Sequence, residues 1–391
     1  MTSKRRINVL VVAGEPSGDA HGAKLVSALR SQYSDVDWNF FGAAGPELRS
    51  AGVVPIVESD AFAIIGLPEI LRALPMFLSA FGKLKRAATR EKPDIAILID
   101  FPEFNLKLAK SLHRRGVKVV YYISPQLWAW RKYRIRTIKR HVDRLLSILP
   151  FEKDWYSSRG VEHVDFVGNP TVSEMPRPIS QLDARSALGE STQNPLVALL
   201  PGSRQKEVLR ILPTMLSAAK AMLDRDPNLQ FLIAMAPSRK EEEIAECLRR
   251  ARLDASAFGG SLKSVFGRTH EVLAAADVAA VASGTATLEA GVIGTPLVVV
   301  YRSTTLNYLL LRPLVSIDNF GLVNLVAGKS LAKEMLQFDF TSEALAEELQ
   351  RLLQPDVNRV FRNELREAMS KLVSESPSEV AARSIGKLLE I

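Results

Sequence analysis

The segment Asp94-Ile-Ala-Ile-Leu-Ile-Asp100-Phe-Pro-Glu103-Phe-Asn105 ends an unbroken apolar run in a carboxylate. A strand of that composition is buried on both faces, which places Asp100 at its carboxyl end. Partial loss of water there raises a carboxyl pKa toward the range of a general base. A hydrogen-bonded turn carboxylate is the plain alternative. Glu103 and Asn105 follow on the same loop, where either positions a substrate or caps the next helix. A second concentration of polar groups is Gly14-Glu-Pro-Ser17-Gly18-Asp19-Ala-His21-Gly22. Its glycines let the backbone approach a ligand, and the helix that should start there offers free N–H groups to an anion. His21 rivals Asp100 as the base because imidazole titrates near neutrality, while Asp19 also reads as a turn cap. The turn is neither a GxGxxG fingerprint nor a P-loop, which weighs against dinucleotide binding and P-loop ATPase chemistry.

Two further turns have the chemistry of phosphate recognition. Pro201-Gly-Ser203-Arg204-Gln-Lys-Glu207 carries a guanidinium that can fork onto phosphate oxygens. Ser283-Gly284-Thr285-Ala286-Thr287-Leu-Glu289 presents small hydroxyl residues at a helix start. Glu289, one turn past Thr285, is placed to accept from ribose hydroxyls. Each turn alone reads as ordinary capping; together they read as a nucleotide-diphosphate pocket.

The elements that must position these turns are short β-rich runs alternating with amphipathic stretches, the pattern of parallel sheets covered by helices on both faces. In the first half the strands are Ile7–Ala13, Trp38–Gly42, Ile95–Asp100, Val117–Ile123 and Arg144–Leu149, with helices over His21–Gln32 and Asn105–Arg115. Three prolines between Gly168 and Pro178 mark a linker. The alternation restarts with Leu196–Leu200, Gln230–Ala234, Asp277–Ala282 and Pro296–Tyr301, and past Ser342 the chain is helical and charged. The expected fold class is α/β, with two Rossmann-like doubly wound domains, 1–170 and 171–391. The terminal helices, from about residue 343, pack on the first domain or on a partner subunit. Such domains bind ligands at the carboxyl ends of their strands, which suits a transferase with one substrate on each wall of a cleft.

Two stretches remain. Leu67, Ile70, Leu71, Leu74, Phe77, Leu78 and Phe81 recur at helical spacing, with Ile64 and Ile65 extending the apolar surface and Lys83, Lys85 and Arg86 following. This is either a membrane-docking face or core, and Pro75 should kink or split the helix. Trp128 and Trp130 beside Arg131, Lys132, Arg134 and Arg136 suit stacked bases, an anionic lipid interface or a plain solvated helix. The net charge of +8 in 391 residues is compatible with anionic substrates, membranes or nucleic acid without choosing among them. A lone cysteine, Cys247, excludes an intramolecular disulfide and points to a reducing compartment. No run approaches the length of a membrane span, and the basic N-terminus leads into the first strand rather than a signal h-region. His113, His141, His163 and His270 lack metal-ligand spacing, so no metal is expected, and no GxSxG elbow is present.

In their order along the chain, Gly14-Glu-Pro-Ser-Gly-Asp19, Asp100-Phe-Pro-Glu-Phe-Asn105, Ser124-Pro-Gln-Leu-Trp-Ala-Trp130, Leu200-Pro-Gly-Ser-Arg204 and Ser283-Gly-Thr-Ala-Thr-Leu-Glu289 closely resemble the lipid-A-disaccharide synthases. The likeness continues through Asn324-Leu-Val-Ala-Gly328 and Glu334-Met-Leu-Gln337. The family's usual first motif has Ala where this chain has Pro16, leaving Ser17 and Asp19 in place. The resemblance implies a GT-B glycosyltransferase that needs no cofactor or metal. It transfers 2,3-diacylglucosamine, with inversion, from UDP-2,3-diacylglucosamine to the 6-hydroxyl of 2,3-diacylglucosamine 1-phosphate. It further implies Asp100 as base, with Gly14, Ser17, Gly18, Asp19, His21 and Asn105 on the acceptor side. UDP would be held by Ser203, Arg204, Ser283 to Thr287, Glu289, Asn324 and Gln337. The resemblance also implies a homodimer with an exchanged C-terminal part, and a cytoplasmic enzyme lying peripherally on the inner face of the bacterial inner membrane. The alternatives are another GT-B enzyme, such as a UDP-N-acetylglucosamine 2-epimerase, which needs no apolar stripe, and a nucleic-acid-binding protein, which would leave both phosphate-type turns idle.

Overall fold

The computed structural model describes residues 4–63, 67–177, 179–304, 308, 319–372 and 375–391, with side chains at 61, 63 and 67–73 outside the description. The chain forms two compact units, residues 1–173 with 374–391, and residues 174–373.

The first unit holds a parallel sheet in the order β3-β2-β1-β4-β5-β6-β7. Its strands are β1 (Arg5–Ala13), β2 (Val36–Ala44), β3 (Val54–Glu58), β4 (Ile95–Ile99), β5 (Lys118–Tyr122), β6 (Arg144–Ser147) and β7 (Val164–Phe166). The order reverses between β1 and β4, and a doubly wound sheet opens its ligand crevice at such a switch. Successive side chains point to opposite faces. Leu10, Val12, Ala96 and Leu98 therefore join one core with Leu84 and Ala88 of α3 (Leu67–Glu91) and Leu108 and Leu112 of α4 (Pro102–His113). Val9, Val11, Ile95, Ile97 and Ile99 join the other, with Leu25 and Leu29 of α1 (Pro16–Gln32).

That second core also takes in Ala381, Ala382 and Ile385 of the last helix, Pro377–Leu389. Residues 374–391 join the first unit, one of the two placements expected for the terminal helices, and the first pass of that unit ends at Ser173. The reason is apolar burial, since this helix matches the one face of the sheet that α1 does not cover alone. Helix α3 is continuous through Pro75, so the expected kink or split does not divide it.

The second unit repeats the plan in the order β10-β9-β8-β11-β12-β13, with its switch between β8 (Leu196–Leu200) and β11 (Val278–Ala282). The others are β9 (Gln230–Met235), β10 (Leu262–Phe266), β12 (Leu297–Tyr301) and β13 (Glu334–Leu336). Cys247 is buried there against the Val208 carbonyl, and burial pushes its thiol up to about 11, which makes it an inert core residue.

Candidate active site

Strands β1 and β4 run in parallel register up to Ala13↔Ile99, so the residues that follow, Gly14-Glu15 and Asp100-Phe101, abut at the carboxyl edge of the first sheet. Gly14 is required there: a Cβ would lie 2.3 Å from the Phe101 ring. Asp100 and Phe101 both adopt left-handed backbone, with φ of 45° and 50°. Such conformations are disfavoured for residues with a side chain and persist only where their surroundings hold them. The Asp100 N–H donates to the Tyr122 carbonyl at 2.9 Å. The Asp100 carbonyl accepts from the Tyr121 hydroxyl at 2.6 Å and from Asn105 Nδ2 at 2.9 Å. Asn105 is fully buried and also donates to the Ile99 carbonyl, so it supports the turn from behind. Burial raises the Asp100 carboxyl pKa to about 6, and the negative charge of exposed Glu15 adds to the rise. Glu15 escaped the sequence reading as a tuning group; the parallel pairing of the strands that precede the two turns is the signal that finds it.

The other first-unit candidates divide. Ser17 is exposed in the first turn of α1, Gly18 is buried against Ile99, and His21 is half-buried on the same helix. Both Asp19 carboxylate oxygens are taken, by the Gly45 N–H at 2.6 Å and the Glu47 N–H at 2.8 Å. Asp19 therefore caps the neighbouring helix Pro46–Ser50 rather than its own turn, and its work is to hold that helix beside the edge. Glu103 receives the guanidiniums of Arg131 and Arg134, which draws the tryptophan-rich loop after β5 toward the Asp100 turn.

That loop hangs on Glu152, which the sequence reading missed. Wholly buried in the first turn of helix Pro150–Ser157, its carboxylate accepts from Ser124 Oγ at 2.6 Å, Trp128 Nε1 at 3.0 Å and the Leu149 and Ile148 N–H groups. Burial raises its pKa to about 7. Proline at the first helical position with glutamate two residues later is the sequence signature that marks it. Trp128 is thus a core residue, while Trp130 stays exposed with the Arg131 guanidinium 4.2 Å from its ring. Replacing Glu152 with Ala strands four donors, and a loss of about 2–4 kcal/mol in unfolding free energy, read by denaturant titration, is expected.

In the second unit, Ser203 and Arg204 follow β8 past Gly202, whose φ of +111° suits glycine. They line a cavity of about 530 Å³ with Lys206, Arg210, Arg239 and Arg302. Arg204 is largely exposed, held loosely to Glu207 at 3.3 Å. Lys206 and Arg210 lie on the helix that Arg204 opens, Gln205–Arg225, whereas Arg239 and Arg302 were not foreseen, because they come from separate elements that only the sheet brings together. At the neighbouring strand end, Ser283, Gly284, Thr285 and Ala286 open helix α12 (Thr285–Ile293), with Gly284 and Thr285 exposed. The Thr287 hydroxyl is buried and donates to the Gly284 carbonyl at 2.8 Å, which fixes the turn. Glu289 lies one turn on, half-buried.

Asn324 and Gln337, expected to touch UDP, stand underneath. Asn324 is fully buried, and its amide bonds both the N–H and the carbonyl of Ala332 at 2.7 Å. The Gln337 amide accepts from the Ser303 N–H at 3.0 Å and donates to the Ser303 carbonyl at 3.3 Å. Both amides bond backbone, and Asn324 Nδ2 also donates to Glu334 Oε1 at 2.7 Å, so both side chains are tied into this edge of the second unit.

The described part of the apolar stripe on α3 divides between two faces. Phe77 and Phe81 belong with buried Ala80, Leu84, Ala87 and Ala88; Phe77 packs on Phe62, Phe101 and Phe104 at ring distances of 5.2, 5.9 and 6.4 Å. Phe77 is therefore corrected from membrane patch to core, since its helical angle matches the buried set. Leu74 and Leu78 share the other face and are 49% and 64% exposed. Ile64 and Ile65, and the side chains of Leu67, Ile70 and Leu71, lie outside the described residues. Among the described residues no helix is long and apolar enough to cross a membrane.

Two doubly wound units, each with its polar turns at the switch-point edge, define the GT-B class of glycosyltransferase folds. Solved structures agree: S. aureus MnaA with UDP matches at TM-score 0.63, 14% identity, covering 99% of this chain and 97% of that one. The calicheamicin glycosyltransferase CalG4 matches at TM-score 0.57, 14% identity, covering 99% and 98%. Residues 9–385 match the family described as lipid-A-disaccharide synthetase. The lipid-A-disaccharide synthase of Myxococcus xanthus is 43% identical over 390 residues, covering 100% of this chain and 99% of the relative. That of Syntrophus aciditrophicus is 42% identical over 375 residues, covering 96% of each. The chain belongs to the lipid-A-disaccharide synthase family.

Proposed function

We propose that this protein is a lipid-A-disaccharide synthase. It joins UDP-2,3-diacylglucosamine to 2,3-diacylglucosamine 1-phosphate, releasing UDP and the β-1′,6-linked disaccharide 1-phosphate. The observation that carries the mechanism is the Asp100 turn, a strained carboxylate at the first sheet's switch point with its pKa raised to about 6. Asp100 takes the proton of the acceptor 6-hydroxyl, the freed oxygen pair attacks the anomeric carbon, and the carbon–oxygen bond to the diphosphate breaks. UDP leaves with that electron pair, and a single displacement turns the α-linked donor into a β-linked product. Negative charge grows on the diphosphate, so Arg204 and the N–H groups opening α12 stabilise the departing group without a required metal. UDP release from the two acylated substrates by the purified protein tests this; no UDP with authentic substrates refutes it.

Both substrates carry acyl chains, and the exposed Leu74 and Leu78 with the basic residues that follow on α3 suit a peripheral seat on the inner face of the inner membrane. Leu74→Ser with Leu78→Ser should move the protein from vesicles of anionic phospholipid to the supernatant on sedimentation, with its melting temperature kept. A collapsed melting temperature would make this face core. The homodimer with an exchanged C-terminal part rests on the family likeness, and Pro377–Leu389, docked on α1, is a segment such an exchange could trade.

A further inference from the structure

His270 has no part in the reaction as described, yet the fold gives it a fixed place. It stands in the first turn of α11 (Thr269–Ala275), and Glu289 stands in the second turn of α12. Both helices begin at the carboxyl edge of the second sheet. His270 Nε2 lies 3.1 Å from Glu289 Oε2. The two side chains are 33% and 16% exposed. That sets the pair apart from Arg268–Glu271, an ion pair within one helix turn of the more open kind that contributes little. The hydrogen bond to Glu289 raises the imidazole pKa against the opposing pull of burial.

The helices that carry the pair are locked together at their far ends. Arg362 donates to the Ala276 carbonyl, just past α11, at 3.2 Å and to the Gly294 carbonyl, just past α12, at 2.9 Å. The Thr295 hydroxyl donates to the Leu273 carbonyl at 2.7 Å, buried between them. With the carboxyl ends clamped, the amino ends hold a set separation, and the contact between His270 and Glu289 follows from the scaffold rather than from two wandering side chains. A carboxylate has two oxygens and here one is engaged. At an edge that binds a diphosphate, the ligand's negative charge repels the Glu289 carboxylate, and the bond to His270 opposes that displacement.

We propose that His270 is a positioning residue, which holds Glu289 by Oε2 so that Oε1 faces the ribose hydroxyls of a bound nucleoside diphosphate. This rests on the donor-site reading above and adds the group that aims its ribose acceptor. The test is calorimetric binding of UDP and of its 2′,3′-dideoxy analogue to the full-length protein and its variants. Wild type should prefer UDP. His270→Ala should weaken UDP about tenfold, the size expected for losing a well-oriented hydrogen bond to a charged group, and leave the dideoxy nucleotide nearly unchanged. His270→Gln, whose amide N–H can still reach the carboxylate, should recover most of the preference, which a merely structural role would not predict. An unchanged preference in His270→Ala, or an equal loss for both nucleotides, overturns the proposal while leaving UDP binding by wild type intact. Wild type that binds no UDP overturns the donor-site reading as well.

Discussion

Asp100→Asn should reduce turnover by about a thousandfold or more while UDP binds within a few-fold of wild type, because the change removes the base and leaves the second unit untouched. The pH profile gives a second test. A base works ionised, and the Asp100 carboxyl titrates at about 6, so kcat/KM should fall tenfold for each unit of pH below that value and level off above it. Glu15→Gln removes the nearby negative charge that contributes to the rise, and the acid limb should move to lower pH. The stability consequence has the opposite sense to the catalytic one. An unfolded aspartate titrates near 3.9, so the fold binds this proton more tightly, and the stability present below that pH is lost as pH rises through about 6. Above pH 7 the neutral Asn variant should therefore melt no earlier than wild type. Retained turnover in Asp100→Asn, or an acid limb that ignores Glu15, would hand the base to another group, with half-buried His21 the first to examine.

The parts of this fold that sequence makes legible are those whose burial is complete. Ile95–Ile99, Leu196–Leu200 and Val278–Ala282 are buried along their whole length, and their apolar runs mark them within a residue or so. The strands that went unread, Val54–Glu58, Val164–Phe166, Leu262–Phe266 and Glu334–Leu336, are the outermost in their sheets. An edge strand is half-solvated, so its alternation is faint, and two of these have only three residues. The site shows the same division. Turns at the ends of buried strands announced Asp100, Arg204 and the Ser283–Glu289 helix start. Whether a polar residue is tied to the scaffold depends on partners far along the chain, which spacing alone does not reveal. Asp19 caps a helix 26 residues on, Asn324 and Gln337 tie down backbone, and Glu152 anchors a loop nearly 30 residues before it. The helical stripe of α3 misled for a related reason, since spacing of three and four admits residues from both flanks of a face, and only packing tells Phe77 from Leu78.

Arg204→Ala should cut kcat/KM by about a hundredfold and weaken UDP binding by about tenfold, and the inequality is the informative part. Arg204 is not alone: Lys206, Arg210, Arg239 and Arg302 line the same cavity, so the ground-state diphosphate keeps favourable charge around it when one guanidinium is removed. Arg302 cannot move to compensate, because it is anchored to Thr214 Oγ1 at 2.7 Å and to the Phe340 carbonyl, and Arg239 is drawn toward Glu243. Arg204, paired among the described residues with Glu207 at 3.3 Å and mostly exposed, can close on the oxygen that gains charge as the glycosidic bond breaks. An interaction that strengthens during bond breaking lowers kcat more than it raises the dissociation constant. Arg204→Lys keeps the charge without the two-pronged geometry, and should bind UDP almost as well as wild type while recovering only part of the rate. Calorimetry with UDP and a UDP-release assay read the two effects separately. Equal losses in both would make Arg204 a simple binding contact, and unchanged affinity together with unchanged rate would remove it from the donor site.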